Sequence, residues 1–127
     1  MPVRRRLLTY RTPNAVLVVL ATVLATQPAV AHAILVASHP PMGGNVPAGR
    51  VAFDLHYNSR IDRGRSRLTL MRPDGSQSVL PIDRAGAPDE LDAIATLTQG
   101  RYTLRWQVLA IDGHITRGDL PFSVADH

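Results

Sequence analysis

The feature that most constrains the fold is a strict alternation of side chains along residues 100–108. Every second residue is apolar, namely Tyr102, Leu104, Trp106 and Val108, and the residues between them are polar. A period of two is typical of a β-strand that turns one face to the core and the other to solvent. The segment therefore predicts a strand in a sheet whose one face is buried.

The same pattern, interrupted by turn signals such as Pro73-Asp74-Gly75, recurs along the chain. It predicts seven strands, over residues 33–37, 51–58, 67–71, 78–82, 90–97, 100–108 and 115–124. Segments 38–47, rich in proline and glycine, and 59–66, rich in charge, are predicted as loops. Residues 90–97 also suit one or two helical turns, but their strand neighbours favour a strand. The fold class predicted is all-β, a seven-stranded Greek-key barrel or sandwich of immunoglobulin-like form.

The first 31 residues do not fit this pattern. A basic head with Arg4, Arg5, Arg6 and Arg11 precedes an apolar run over 15–25, and the segment ends Ala29-Val30-Ala31. These are the parts of a secretory signal peptide, and the apolar run is shorter than the ~20 residues of a spanning helix. We predict a signal peptide over 1–31, cleaved after Ala31, and one domain over 32–127. An uncleaved membrane anchor is the alternative.

The charge of the chain supports no nucleic-acid partner. The four arginines of the predicted signal account for the whole formal net charge of +4, so the side chains of residues 32–127 sum to zero. A nucleic-acid surface needs a basic stripe, and none remains after cleavage. The chain also contains no cysteine, so a metal site must use nitrogen, oxygen or methionine ligands.

Cleavage after Ala31 would make His32 the first residue, which offers an α-amine and an imidazole to one metal ion. An amine has a pKa of about 7.7–8.0 and an imidazole about 6.5, so both deprotonate at mild pH. His114 can add a second imidazole and Asp112 a carboxylate oxygen. Such a tetragonal nitrogen and oxygen set is what Cu(II) prefers, ahead of Zn(II). Taken alone, Asp112-Gly113 is more often only a turn, and spacing does not establish that these residues meet.

Motifs at both ends of residues 32–127 make the chain resemble the CopC family of periplasmic copper-binding proteins. The first is His32-Ala33-x-Leu35-x-x-Ser38-x-Pro40-x-x-Gly43. The second is Gly100-x-Tyr102-x-x-x-Trp106-x-Val108-x-x-x-Asp112-Gly113-His114-x-x-x-Gly118-x-x-x-Phe122-x-Val124. The resemblance implies a seven-stranded Greek-key barrel, and one Cu(II) ion held by His32, Asp112 and His114. It also implies a role in copper resistance or delivery, beside an inner-membrane protein of the CopD type.

The chain departs from the family pattern at one place, and its other histidines are assigned no metal role. Asn58-Ser59 stands where many members carry Ser-Glu. Methionines are too few for a Cu(I) site, so only Cu(II) is expected. We expect His39 in a solvated loop, His56 exposed on the polar face of its strand, and His127 at a free end.

Three functions are compatible with the sequence. The first is a monomeric periplasmic Cu(II) carrier without turnover. The second is a small copper monooxygenase whose centre is a histidine brace. Such enzymes usually need a flat aromatic face, and the five aromatic residues beyond the signal all fall at inward positions: Phe53, Tyr57, Tyr102, Trp106 and Phe122. The third is an immunoglobulin-like interaction module that binds no metal. The sequence favours the first.

Overall fold

A computed structural model describes residues 32–126, which form a sandwich of two β-sheets. The eight strands are β1 Leu35–His39, β2 Gly44–Pro47, β3 Gly49–Tyr57, β4 Ile61–Met71, β5 Gln77–Leu80, β6 Glu90–Leu97, β7 Gly100–Ala110 and β8 Ile115–Ala125. One sheet has the order β1-β3-β6, and the other has the order β2-β8-β7-β4-β5. The all-β prediction is confirmed, with eight strands in this part of the chain instead of seven.

The core lies between the sheets and is joined by aromatic pairs. The ring of Phe53 in β3 meets that of Phe122 in β8 at 5.5 Å between centroids, and Tyr57 meets Trp106 at 5.4 Å. Edge-to-face pairs of this kind add stability beyond the area that they bury. The prediction that the aromatic residues face inward is confirmed, since all five are buried.

Two segments predicted as loops contain strand. In 38–47, Ser38 and His39 end β1, and Gly44–Pro47 pairs in parallel with β8 as an edge strand. Proline is tolerated on an edge strand because the missing N–H costs no ladder hydrogen bond there. The buried side chain of Val46 holds β2 against the core. Because the segment is rich in proline and glycine, the sequence pattern predicted a loop where this short strand lies.

The segment 59–66 was also predicted wrongly, because β4 already begins at Ile61. Ile61 and Asp62 pair with β7, and the register then shifts before Arg67. Such a bulge interrupts the alternation of faces that marks a strand in the sequence. The strand prediction for 90–97 is confirmed, because β6 pairs with β3 along its whole length.

The predicted signal peptide, residues 1–31, and His127 lie outside the described residues. Between residues 32 and 126 the structure contains no helix of the length and apolarity needed to cross a membrane.

Candidate metal site

The turn between β7 and β8 presents two of the predicted ligands at one end of the sandwich. Gly113 N donates to Ala110 O at 2.9 Å, and Ala110 N donates to His114 O at 2.8 Å. The loop between the strands, residues 111–114, contains Gly113 with φ of 90°, a left-handed conformation that glycine adopts without strain. The turn predicted at Asp112-Gly113 is therefore present, and it brings Asp112 and His114 side by side.

Asp112 and His114 contact each other through both backbone and side chain. The His114 backbone N donates to Asp112 Oδ1 at 3.0 Å, and His114 Nδ1 lies 3.1 Å from Asp112 Oδ2. The backbone N–H of His114 is the main cause that lowers the pKa of Asp112, helped by the charges of His114 and His32. Asp112 is therefore held as a carboxylate, the form that binds a cation.

The chain just after His32 is held by contacts with residues that are distant in the sequence. The Ala33 side chain is fully buried, and Ala33 O accepts a hydrogen bond from Thr116 Oγ1 at 2.7 Å. Ile34 N donates to Asn58 Oδ1 at 2.8 Å, and Asn58 N donates back to Ile34 O at 3.0 Å. These contacts hold the start of the domain against β8 and against the end of β3.

As a result, the His32 and His114 rings lie 5.2 Å apart between centroids, at an angle of 76°. Metal–nitrogen distances of about 2.0–2.1 Å place two imidazoles on one ion roughly 4.5–6.3 Å apart between centroids. The separation of the two rings lies within this range. Both histidines and Asp112 are exposed, so an ion can reach them from solvent.

The structure gives a role to Asn58, which the sequence identified only as a departure from the family pattern. Its side-chain oxygen accepts from a backbone N–H two residues after His32. No sequence pattern assigned a role to Thr116. Both contacts join residues distant in sequence, 24 apart for Asn58 and 83 apart for Thr116. A single sequence carries no pattern for such pairs.

The remaining histidines lie elsewhere. His39 is exposed at the end of β1, where it pairs with Asp54, so it belongs to a strand and not to the predicted loop. His56 lies on the polar face of β3 as predicted, but it is only half-exposed and contacts Asp54 and Glu90. Neither residue lies in the turn that carries His114.

The comparisons with known proteins agree with one another. The family model of the CopC domain matches residues 35–125. Protein YobA of Escherichia coli K12 is 31% identical over 121 residues, which cover 91% of this chain and 97% of that protein.

Two solved structures, those of CopC and PcoC, share the fold. CopC from Methylosinus trichosporium OB3b superposes with a TM-score of 0.70 at 25% identity, covering 76% of this chain and 96% of that one. PcoC, a methionine-rich copper resistance protein from Escherichia coli, gives a TM-score of 0.61 at 22% identity, over 75% of this chain and 100% of that one. At that identity, the second likeness concerns the fold alone.

Proposed function

This chain belongs to the CopC family, and on that premise we propose that it binds one Cu(II) ion through His32, Asp112 and His114. The observation that supports this best is the approach of the His32 and His114 rings to 5.2 Å, with Asp112 bonded to His114. His32 lies at the start of the domain sequence, whereas Asp112 and His114 lie near its end, and a purely structural turn needs no second histidine beside it.

Each residue has a distinct role in this proposal. Once Ala31 is removed, the α-amine and Nδ1 of His32 close a six-membered chelate ring on the ion. Asp112 Oδ2 faces Nδ1 of His114, which leaves Nε2 of that ring to bind copper. An ion on Nε2 lies on the far side of the ring from that contact, so Asp112 leaves Nδ1 of His114 when its carboxylate binds the same ion.

We propose that the protein is a Cu(II) carrier without turnover. Nitrogen and oxygen donors in a tetragonal set suit Cu(II), which binds more tightly than other divalent first-row ions. We further propose that the signal at residues 1–31 directs a monomer to the periplasm. There it would act in copper resistance or pass copper to a CopD-type inner-membrane protein. N-terminal sequencing of the exported protein, expected to begin at His32, tests the export step.

The direct test is titration of the protein that begins at His32 with Cu(II), in competition with a chelator of known affinity. The first equivalent is expected to bind tightly, and His114→Ala is expected to weaken that equivalent at least about 100-fold. Unfolding of His114→Ala by urea provides the control for folding. Equal affinity of the two proteins would exclude His114 as a ligand.

A matched pair of variants tests the contact between Asn58 and Ile34. Asn58→Ala is expected to lower Cu(II) affinity about 10- to 100-fold, because the backbone next to His32 loses its partner. Asn58→Asp keeps an oxygen that accepts from Ile34 N, so its affinity should stay close to that of the native protein. If both variants bind as tightly as the native chain, the contact does not position His32.

Copper affinity should fall as the pH drops below about 6. The lowered pKa of Asp112 keeps this ligand ionised down to a lower pH than an ordinary aspartate, so acid does not remove it first. Protons instead compete with copper for the nitrogen ligands. The apparent affinity, measured from pH 8 to pH 5 at constant ionic strength, should therefore decline. The steepness of the decline should show that more than one proton competes with each copper ion. A flat profile over this range would argue against nitrogen ligands.

A further inference from the structure

A second group of metal-binding side chains lies on the outer face of the three-stranded sheet. His56 Nε2 is 3.0 Å from Asp54 Oδ1, and His56 Nδ1 is 2.9 Å from Glu90 Oε1. One ligand atom from each of the three residues lies within 4.8 Å of the others. The group, which we call the β3–β6 cluster, consists of Asp54, His56 and Glu90.

Strand pairing holds the β3–β6 cluster in place. His56 in β3 lies directly opposite Glu90 in β6, and Asp54 lies opposite Asp92. On the other side, β1 places His39 opposite Asp54. Residues opposite each other in an antiparallel pair share a face of the sheet. Ligands on paired strands are also positioned more rigidly than ligands on loops.

The electrostatics of the cluster favour a cation. Asp54 and Asp92 face each other across the strands, and like charges in that position repel. Against these two carboxylates and that of Glu90 stands one guanidinium, that of Arg63, which donates to the backbone oxygens of Ala87 and Glu90. Negative charge is therefore in excess.

One carboxylate oxygen of the cluster also lacks a good partner. Asp54 Oδ1 is shielded from solvent and, despite its 3.0 Å contact with His56, receives no well-aligned hydrogen bond from the described residues. A polar atom in that position costs free energy unless a proton or a cation satisfies it.

We propose that Asp54, His56 and Glu90 form a second site, for a divalent transition-metal ion such as Zn(II), separate from the site at His32. Zinc bonds of about 2.0–2.2 Å place tetrahedral ligands about 3.4 Å apart, so the ligand atoms, which lie within 4.8 Å of one another, must move closer together. Asp54 and Glu90 contact opposite nitrogens of His56, so one of the two carboxylates leaves its nitrogen to reach the ion. The ion takes the place of the imidazole proton, which is released to solvent. His39, opposite Asp54, is a candidate for a fourth ligand.

The proposal is tested with Zn(II) added to the protein that begins at His32, after one equivalent of Cu(II) has filled the tighter site. The imidazole resonances of His56 should shift with Zn(II), and a proton should be released. Two variants, His56→Gln and Glu90→Gln, should each weaken this binding at least about tenfold and leave the first copper equivalent unchanged. Unfolding by urea checks that both variants are folded.

A second protein separates this site from the copper site. The chain that retains Ala31 lacks a free amine on His32, yet it should bind Zn(II) at the β3–β6 cluster with unchanged affinity. If Zn(II) leaves the His56 resonances unmoved in both proteins, the cluster is only an ion pair. The same conclusion follows if Zn(II) binds but His56→Gln and Glu90→Gln do not weaken it. Either result would overturn the proposal and leave the copper site untouched.

Discussion

A protein that retains Ala31 in front of His32 is expected to bind Cu(II) at least about 100-fold more weakly than the protein that begins at His32. The extra residue converts the α-amine into an amide, which removes one nitrogen ligand and opens the chelate ring of His32. Loss of an outer partner alone typically weakens metal binding 10- to 100-fold, so loss of a direct ligand should cost at least as much. Competition with a chelator measures the difference.

The control for this comparison is an alanine added after His127, at the other end of the chain. Both proteins should unfold at the same urea concentration without metal, because Ala33, which anchors the start of the domain in the core, is unchanged. Equal copper affinity with and without Ala31 would show that the amine is not a ligand. In that case His32 would not bind copper through its α-amine, however tightly the protein binds the ion.

Gly118→Ala is expected to destabilise the domain by about 1–3 kcal/mol. Gly118 in β8 lies directly opposite Trp106 in β7, and the indole ring packs over it. A Cβ atom at residue 118 would lie 2.6 Å from Cε2 and 2.9 Å from Nε1 of Trp106. The ring is buried and also contacts Tyr57, so it cannot move aside without disturbing the core.

Gly64→Ala is the matched control, because a Cβ there has only Asp62 Oδ1 nearby, at 3.5 Å. Urea unfolding of the two variants without metal, followed by Trp106 fluorescence, measures the difference. Gly64→Ala should unfold within about 0.5 kcal/mol of the native domain, as most surface substitutions do. Similar stability of Gly118→Ala and Gly64→Ala would show that Trp106 relaxes freely and that Gly118 is not required by packing.

The fold class could be predicted because burial of one face of a strand makes apolar and polar residues alternate in the sequence. Tyr102, Leu104 and Val108 face the core as that alternation requires. The prediction failed at β2 and at the start of β4, where pairing depends on an edge position and on a bulge. Pro47 and Gly64 are residues that local rules assign to loops. Only the neighbouring strands β8 and β7 make strands of those segments.

The ligands proposed for copper were named from donor chemistry, but the residues that position them were not. The hydrogen bonds of Asn58 and Thr116 reach across the fold to the chain beside His32. The alternation of β3 predicted which face His56 occupies. It carried no information about Glu90, which arrives opposite His56 only through the pairing of β3 with β6. The donor atoms of a residue can be identified from the sequence alone, whereas its neighbours in space depend on the pairing register of the strands.

The central claim, that the amine and ring of His32 share one Cu(II) ion with His114, is tested most directly by electron paramagnetic resonance. The spectrum of the protein that begins at His32, loaded with one equivalent of copper, should be axial, as a tetragonal site requires. Hyperfine couplings should identify two imidazole nitrogens and one amine nitrogen, the last of them absent when Ala31 is retained. A spectrum with no amine nitrogen, or one that Ala31 leaves unchanged, would contradict the account.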